Sequence, residues 1–392
     1  MQDDQQSIQE SQRGRLASFF LADHRYVYLG TSAFVLFGLW LLSMQSNRLS
    51  FLPTGSPAQM AVMGLCGAWL ALSAVALLTK LTHWNNYGST WAKNPAVVRA
   101  SRIGSYVAWA IVLLIVVDRV ILWFVATVQD AAAATTNPQD FIGGQAYMVY
   151  NSLPMYAQGI MTTVSLAVFG TILAFFFAVV LVFLRLQEPD RSDNDFVRFL
   201  KKVGSGFAFL YSTVIRGTPM MVQGLIIYSG GFMVFRSMGY TVSETRQIWS
   251  YFVAGLVIVT VNSTAYIMEA LRGGIEAVDP GQAEAARSLG LSQWQAMSRV
   301  VFPQGVRNAI PSLSNEMIMN IKDSSVLSVV GVFDLMFATT TVAGIYYRQM
   351  ELYVVAALIY LVLTFVATRL LNLLSRKLEV ANVAELPTAP KE

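Results

Sequence analysis

Long apolar runs separated by short polar stretches are the main pattern along this chain. Each run is close to the roughly 20 residues that a helix needs to cross about 30 Å of hydrocarbon. A soluble helix or strand would instead place polar residues at regular intervals between its apolar positions. The pattern therefore predicts an all-α integral membrane protein with about eight transmembrane helices. The eight runs are residues 26–47, 59–78, 107–128, 157–184, 217–235, 248–268, 313–337 and 352–368.

Composition and charge fit the same picture. Hydrophobic residues make up 55% of the 392 residues and charged residues 13%, whereas roughly 25% of a soluble domain is charged. Lys and Arg concentrate in alternate loops, and short loops rich in these residues stay in the cytoplasm. We therefore expect a cytoplasmic N-terminus (1–25) and a cytoplasmic tail (380–392). A cleaved signal peptide is the alternative interpretation of the first run, although no clear cleavage site follows Met44.

Several other classes of protein are disfavoured by the residues present. His24 and His83 are the two histidines and lie far apart without a ligand cluster, so we expect no metal site. The single cysteine, Cys66, excludes an intramolecular disulfide. Basic residues lie beside the runs and form no basic face, so nucleic acid is not an expected partner. No Gly-Lys dipeptide occurs, which excludes a phosphate-binding P-loop, so we expect no catalytic residue and no cofactor in this chain.

A polar linker divides the chain into two unequal parts. We predict three accessory transmembrane helices in 26–130, an external, periplasmic linker in 131–156 and a core of five helices in 157–379. The longest polar break in the second half, residues 272–307, is cytoplasmic by the count of basic residues. This break is the strongest candidate for contact with a cytoplasmic partner.

Residues 272–307 carry the signals of a helix, a tight turn and a second helix. Asp279 can cap the first helix, and Gly290 supplies a left-handed exit from it. Ser292 is the cap of the second helix, which we expect to end at Pro303. The segment is therefore predicted to be compact and stiff, as a docking element must be.

A motif within this segment carries a family resemblance. The sequence Glu-Ala-Ala at 284–286 is followed by Gly290 and, after nine further residues, by Val-Val-Phe-Pro at 300–303. This spacing resembles the EAA loop of ATP-binding-cassette import permeases, with Val300 and Phe302 where Ile and Leu are usual. An interfacial amphipathic helix is the alternative interpretation. The resemblance implies that seven residues couple the chain to an ATPase: Glu284, Ala285, Ala286, Arg287, Leu289, Gly290 and Leu291.

The resemblance extends from residue 157 to residue 379. The segments YSTVIRGTP (211–219), NSTAYIMEALRGGI (262–275) and NEMIMNIKDSSVLSVVGVFD (315–334) are similar to the histidine- and glutamine-permease branch. The three extra helices are similar to those of the larger M-type subunits of general L-amino-acid or glutamate/glutamine/aspartate/asparagine transporters. The resemblance implies a type I importer permease core of five helices with three extra N-terminal helices.

The resemblance also implies a function and a set of partners. It indicates a subunit that translocates L-amino acids, polar or acidic ones such as glutamate, glutamine, aspartate and asparagine, across a bacterial inner membrane. ATP and Mg would bind to two cytoplasmic ATPase subunits. A homologous permease subunit and a periplasmic amino-acid-binding protein would complete the complex in the lipid bilayer. An ion-coupled secondary amino-acid transporter is the alternative, although the matching inverted halves expected of one are not apparent.

Polar residues inside the apolar runs are candidates for the substrate pathway, because such groups are costly in a bilayer. Lys322 and Asp323 could bind the carboxylate and the ammonium group of an amino acid, or they could form a buried pair. Asn262 and Ser263 could contact substrate, or they could hydrogen-bond between helices. The candidates are Asn262, Ser263, Lys322, Asp323 and Ser324.

Asp118 and Arg119 lie in the third run, outside the predicted core. Adjacent side chains on an α-helix do not face each other, so we expect no local ion pair between these two residues. We expect them instead to pack among the accessory helices or against a partner subunit.

Overall fold

The computed structural model describes residues 24–83, 90–91, 94–189 and 193–383. Within these residues the regular structure is helical, with no β-strand, which confirms the predicted all-α class. The predicted cytoplasmic ends, 1–25 and 380–392, lie outside the described residues except for positions 24–25 and 380–383. The chain divides into two compact units, Met1–Tyr147 and Met148–Glu392.

The first unit is built from long helices that begin at well-formed caps. Ser56 and Asn94 accept hydrogen bonds from the first turns of the second and third helices, and a proline follows each cap. The helices are α1 (His24–Ser43), α2 (Pro57–Thr82), α3 (Pro95–Val116), a π-helical turn (Val117–Ile121) and α4 (Leu122–Ala133). Helix α5 (Phe141–Asn151) crosses the boundary between the units.

The described residues of the second unit form ten further helices and two irregular helical turns. The helices are α6 (Leu153–Arg185), α7 (Asp195–Arg216), α8 (Met220–Ser237), α9 (Val242–Ile248), α10 (Tyr251–Glu276), α11 (Pro280–Ser288), α12 (Gln293–Ala296), α13 (Phe302–Asp323), α14 (Leu335–Tyr346) and α15 (Gln349–Val383). A π-helical turn (Met297–Val301) precedes α13, and a 3-10 helix (Ser324–Val330) follows it.

Five of the described helices are long and apolar enough to cross a membrane, or seven if each of two bent pairs counts as one span. A shorter apolar helix, Gly30–Ser43, covers part of the first predicted run. Helices α7 and α8 form one bent pair, at 112°. The bend coincides with Pro219, because the residue before a proline is disfavoured in a helix. The other pair bends by 52° before α14, where Gly331 has a left-handed φ of 98°.

Small residues let the long helices of the second unit approach closely. A buried cluster joins α6, α7, α10 and α13, and membrane helices commonly associate through such small side chains. The cluster holds α10 at its centre. Its buried members are Ala174, Ala178, Val182, Ala208, Ile267, Met268, Leu271, Ile275, Val278, Val301 and Ala309.

The expectation of no ion pair between Asp118 and Arg119 is wrong. Arg119 Nη1 lies 2.9 Å from Asp118 Oδ2, and the two side chains are 1% and 0% exposed. Both residues lie in the π-helical turn, which is wider than an α-helical turn and changes the directions of neighbouring side chains. The same carboxylate accepts hydrogen bonds from Ser50 Oγ and from the backbone N–H groups of Phe51 and Leu52. The pair therefore fixes the loop between α1 and α2.

Candidate functional site

Residues 279–303, hereafter the coupling segment, form the predicted helix, turn and second helix. Asp279 Oδ1 accepts a hydrogen bond from Gly281 N at 2.8 Å, and Gly290 has a left-handed φ of 87°. Ser292 and Gln295 form a reciprocal capping box at the start of α12. The expectation that the second helix ends at Pro303 is wrong. Pro303 lies in the first turn of α13, where no backbone N–H is needed, so the helical path continues into α13.

The coupling segment separates its side chains into an outer and an inner face. Glu284 and Arg287 are exposed, and Leu289 is 85% exposed. Ala286 is buried, and Leu291 is half-buried. A polar recess of about 750 Å³ lies along this surface. Its lining residues are Glu284, Arg287, Ser288, Gly290, Leu291, Ser292, Gln293 and Gln295.

Aromatic contacts attach the coupling segment to the end of α6. The ring of Phe183 lies 5.2 Å from that of Trp294 and 4.9 Å from that of Phe302, between ring centroids. Aromatic pairs at this separation add to the stabilisation from burial. The segment is therefore joined to the helix bundle and does not project as a free loop.

Asn262 and Ser263 are buried and hydrogen-bonded inside the subunit. Asn262 Nδ2 donates to Gln223 Oε1 at 3.0 Å, and Ser263 Oγ donates to Asn320 Oδ1 at 2.9 Å. Asn320 Nδ2 donates in turn to Thr171 Oγ1 at 2.8 Å. These bonds link α6, α8, α10 and α13, which is the interhelical arrangement weighed above. Ser324 is likewise buried, with its hydroxyl bonded to the carbonyl of Ile321.

Lys322 and Asp323 are both exposed, so the alternative of a buried pair is wrong. They lie at the end of a polar stripe along α13, whose members recur at intervals of three or four residues and therefore share one helix face. We call this face the α13 stripe. Its exposed polar members are Asn308, Ser312, Asn315 and Lys322, with Asp323 beside them; the apolar Met319 lies between Asn315 and Lys322 on the same face.

Sequence reasoning singled out the charged end of the α13 stripe but missed Ser312 and Asn315. The signal was the polar spacing at 308, 312 and 315, which matches the helical repeat. The sequence analysis also missed Gln223, whose Nε2 donates to the carbonyl groups of Ile215 and Thr218 at the α7–α8 bend. Pro219 indicates a break at this point, but spacing alone does not place the Gln223 side chain against the end of the preceding helix.

Arg216 belongs to a partly buried ionic cluster. Its Nη1 lies 3.9 Å from Glu269 Oε2, and its guanidinium lies over the ring of Tyr266. Glu269 also accepts hydrogen bonds from Ser212 Oγ and Arg272 Nε. The cluster ties the end of α7 to α10, close to the start of the coupling segment.

The chain is similar to known transport proteins. Residues 196–380 match the family described as binding-protein-dependent transport system inner membrane component. The nopaline transport system permease protein NocM of Agrobacterium fabrum is 31% identical over 229 residues, which cover 58% of this chain and 88% of that protein. The arginine transport system permease protein ArtQ of Bacillus subtilis is 30% identical, over 58% of this chain and 94% of that protein. A crystal structure of an amino acid ABC transporter with histidines is 32% identical, with a TM-score of 0.50, and covers 61% of this chain and 99% of that one.

Proposed function

Since this chain belongs to the family of binding-protein-dependent transport system inner membrane components, as a permease subunit of an amino-acid ATP-binding-cassette importer, we propose that it translocates polar L-amino acids such as glutamate, glutamine, aspartate and asparagine. A permease subunit of this family is not itself an enzyme. ATP and Mg are bound by two cytoplasmic ATPase subunits. A homologous permease subunit and a periplasmic amino-acid-binding protein complete the importer in the bacterial inner membrane, with both termini of this chain in the cytoplasm.

The coupling segment is the element that docks on the ATPase. Its two short helices are fixed by side-chain caps, so it can transmit a displacement without unwinding. Leu289 is 85% exposed beside the turn at Gly290, and a large apolar side chain in such a place suits a pocket on a partner. Glu284 and Arg287 precede this turn and orient the partner by charge.

The α13 stripe lines the substrate pathway. Asn and Lys side chains are costly against lipid, so a helix that exposes them places them toward water or a partner protein. In a permease that pairs with a homologous subunit, this face lines the space between the two. The exposed stripe is the observation that supports this placement best.

The charged end of the α13 stripe suits a zwitterion. Lys322 offers an ammonium group to a carboxylate, and Asp323 offers a carboxylate to an ammonium group. Every L-amino acid carries both groups, so these residues recognise the shared part of the substrate. The named relatives belong to nopaline and arginine transport systems, which favours recognition of the common backbone over one particular side chain.

The test is ATP-dependent uptake of labelled glutamate, glutamine, aspartate and asparagine by proteoliposomes that contain the complete importer and its binding protein. Glu284→Lys reverses a charge in the coupling segment, and we expect it to lower uptake and stimulated ATPase activity by at least about tenfold. Glu188→Lys makes the same change on an exposed residue outside the coupling segment and should leave both unchanged.

Two results would contradict the proposal. Uptake that continues without ATPase activity and follows an imposed ion gradient would support a secondary transporter. Normal uptake by a fully assembled Glu284→Lys importer would show that the coupling segment does not dock on the ATPase as proposed.

A further inference from the structure

Two glycines at the base of the coupling segment bring α10 and α13 into backbone contact. Gly274 lies in the last turn of α10, and Gly305 lies in the first turn of α13. A Cβ atom at Gly274 would lie 2.4 Å from the carbonyl oxygen of Gly305. A Cβ atom at Gly305 would lie 2.8 Å from Cα of Ile275. Both distances are below any that side chains normally adopt, so neither position has room for a methyl group.

A hydrogen bond and a buried cluster reinforce this crossing. Asn308 Nδ2 donates to the Gly274 carbonyl oxygen at 3.2 Å, and the last carbonyl groups of a helix need such partners outside their own helix. Ile275, Ala309 and Val301 are buried around the crossing in one cluster. The two ends of the coupling segment are thus tied to each other where they meet the membrane helices.

The neighbouring glycine provides a direct contrast. Among the described residues, none outside its own helix and its chain neighbours has an atom within 4 Å of a Cβ built at Gly273. Gly273 and Gly274 are neighbours in the last turn of α10. They differ in whether an added methyl group would meet α13. This makes Gly273 a matched control.

We propose that Gly274 and Gly305 are positioning residues that form a rigid clasp between α10 and α13 at the base of the coupling segment. The proposal rests on the docking role given to the coupling segment above. Because no side chain separates the two backbones, no rotamer change can absorb a displacement, and close-packed elements move as units. The α13 stripe lies on the clasped helix, so a shift of the coupling segment moves the substrate-facing residues with it.

The first test compares Gly274→Ala, Gly305→Ala and Gly273→Ala in the complete importer in proteoliposomes. We expect the first two variants to lower the amount of amino acid taken up per ATP hydrolysed by about tenfold. The KM for ATP should stay at its original value, because no nucleotide contact is changed. Gly273→Ala should behave as the unmodified importer does.

The second test measures rigidity directly. Spin labels at Ser288→Cys and Ser312→Cys, both exposed positions, report the distance between the coupling segment and α13 on a Cys66→Ala background. In the intact importer this distance should stay the same in the nucleotide-free and ATP-bound states. In Gly305→Ala it should change between states or broaden.

Asn308→Ala keeps the test decisive if the alanine variants of the glycines do not assemble. It removes the hydrogen bond to Gly274 without adding bulk. We expect the distance between the labels at Ser288→Cys and Ser312→Cys to broaden, which loss of a pathway side chain alone would not cause. Coupling at the original level in Gly305→Ala would overturn the clasp. So would a distance in the intact importer that changes by more than about 2 Å, the usual size of a helix shift.

The two proposals can fail separately. If Glu284→Lys leaves uptake intact, the docking role fails and the clasp has nothing to transmit. If Glu284→Lys uncouples the importer while the labelled distance varies freely between states, the docking role stands and only the clasp is refuted.

Discussion

Two pairs of adjacent charged residues lie within apolar runs of this chain, and their environments are opposite. Asp118 and Arg119, in the first unit, are buried, paired with each other and bonded to a neighbouring loop. Lys322 and Asp323, in the second unit, are exposed at the end of α13. Burial and an internal partner therefore support a structural role for the first pair, and exposure leaves the second pair available to a ligand or a partner protein.

The two units also differ in their relation to known proteins. The family match, residues 196–380, lies entirely within the second unit. The Asp118–Arg119 pair therefore lies outside the family match, and Lys322 and Asp323 lie within it. The comparison predicts that changes in the first pair affect stability and changes in the second affect transport.

The largest expected effect follows from Asp118→Ala. The change leaves the Arg119 guanidinium buried without its counter-ion, which should destabilise the first unit by about 3–5 kcal/mol. Thermal unfolding of the purified complex measures this loss. Asp130→Ala, which removes an exposed carboxylate paired with Arg48, is the control and should change little. An unchanged unfolding temperature for Asp118→Ala would contradict the structural role of the pair.

Lys322→Gln should impair transport without lowering stability, in contrast to Asp118→Ala. The side chain is exposed, so stability should change by no more than about 0.5 kcal/mol. Loss of a charge-assisted hydrogen bond to the substrate carboxylate should raise the KM for uptake by about tenfold. Uptake kinetics over a range of concentrations of binding protein loaded with substrate give this value. A lower unfolding temperature with an unchanged KM would mean that Lys322 stabilises the fold and does not bind substrate.

The smallest effect is expected for Arg48→Ala. Arg48 Nη2 lies 2.9 Å from Asp130 Oδ1, but both side chains are more than half exposed. Exposed pairs of this kind contribute about 0–1 kcal/mol. The unfolding temperature should therefore stay close to that of the original protein. A loss as large as that of Asp118→Ala would mean that burial does not distinguish the pairs.

Signals that act over a few residues could be interpreted from the sequence. The coupling segment was predicted because Asp279, Gly290 and Ser292 set its caps and its turn locally. The all-α class followed from the length of the apolar runs, which depends only on the thickness of the bilayer.

Features that depend on distant contacts could not be predicted in this way. The Asp118–Arg119 pair requires a π-helical turn and a loop about 70 residues away in sequence. The contact between Gly274 and Gly305 depends on how α10 and α13 cross. Asn262 and Ser263 are polar in a membrane run, but their partners, Gln223 and Asn320, are on other helices. Spacing alone shows that such residues need partners and does not identify them.

Cysteine accessibility can show whether the α13 stripe faces a water-filled pathway. Asn315→Cys on a Cys66→Ala background should react with a charged, membrane-impermeant thiol reagent in the assembled importer. Leu361→Cys, on an exposed apolar face of α15, is the control and should react only with a lipid-soluble reagent. We expect substrate-loaded binding protein together with ATP to change the rate of this reaction at Asn315→Cys. Failure of Asn315→Cys to react with the charged reagent in every nucleotide state would contradict the proposed place of the α13 stripe in the pathway.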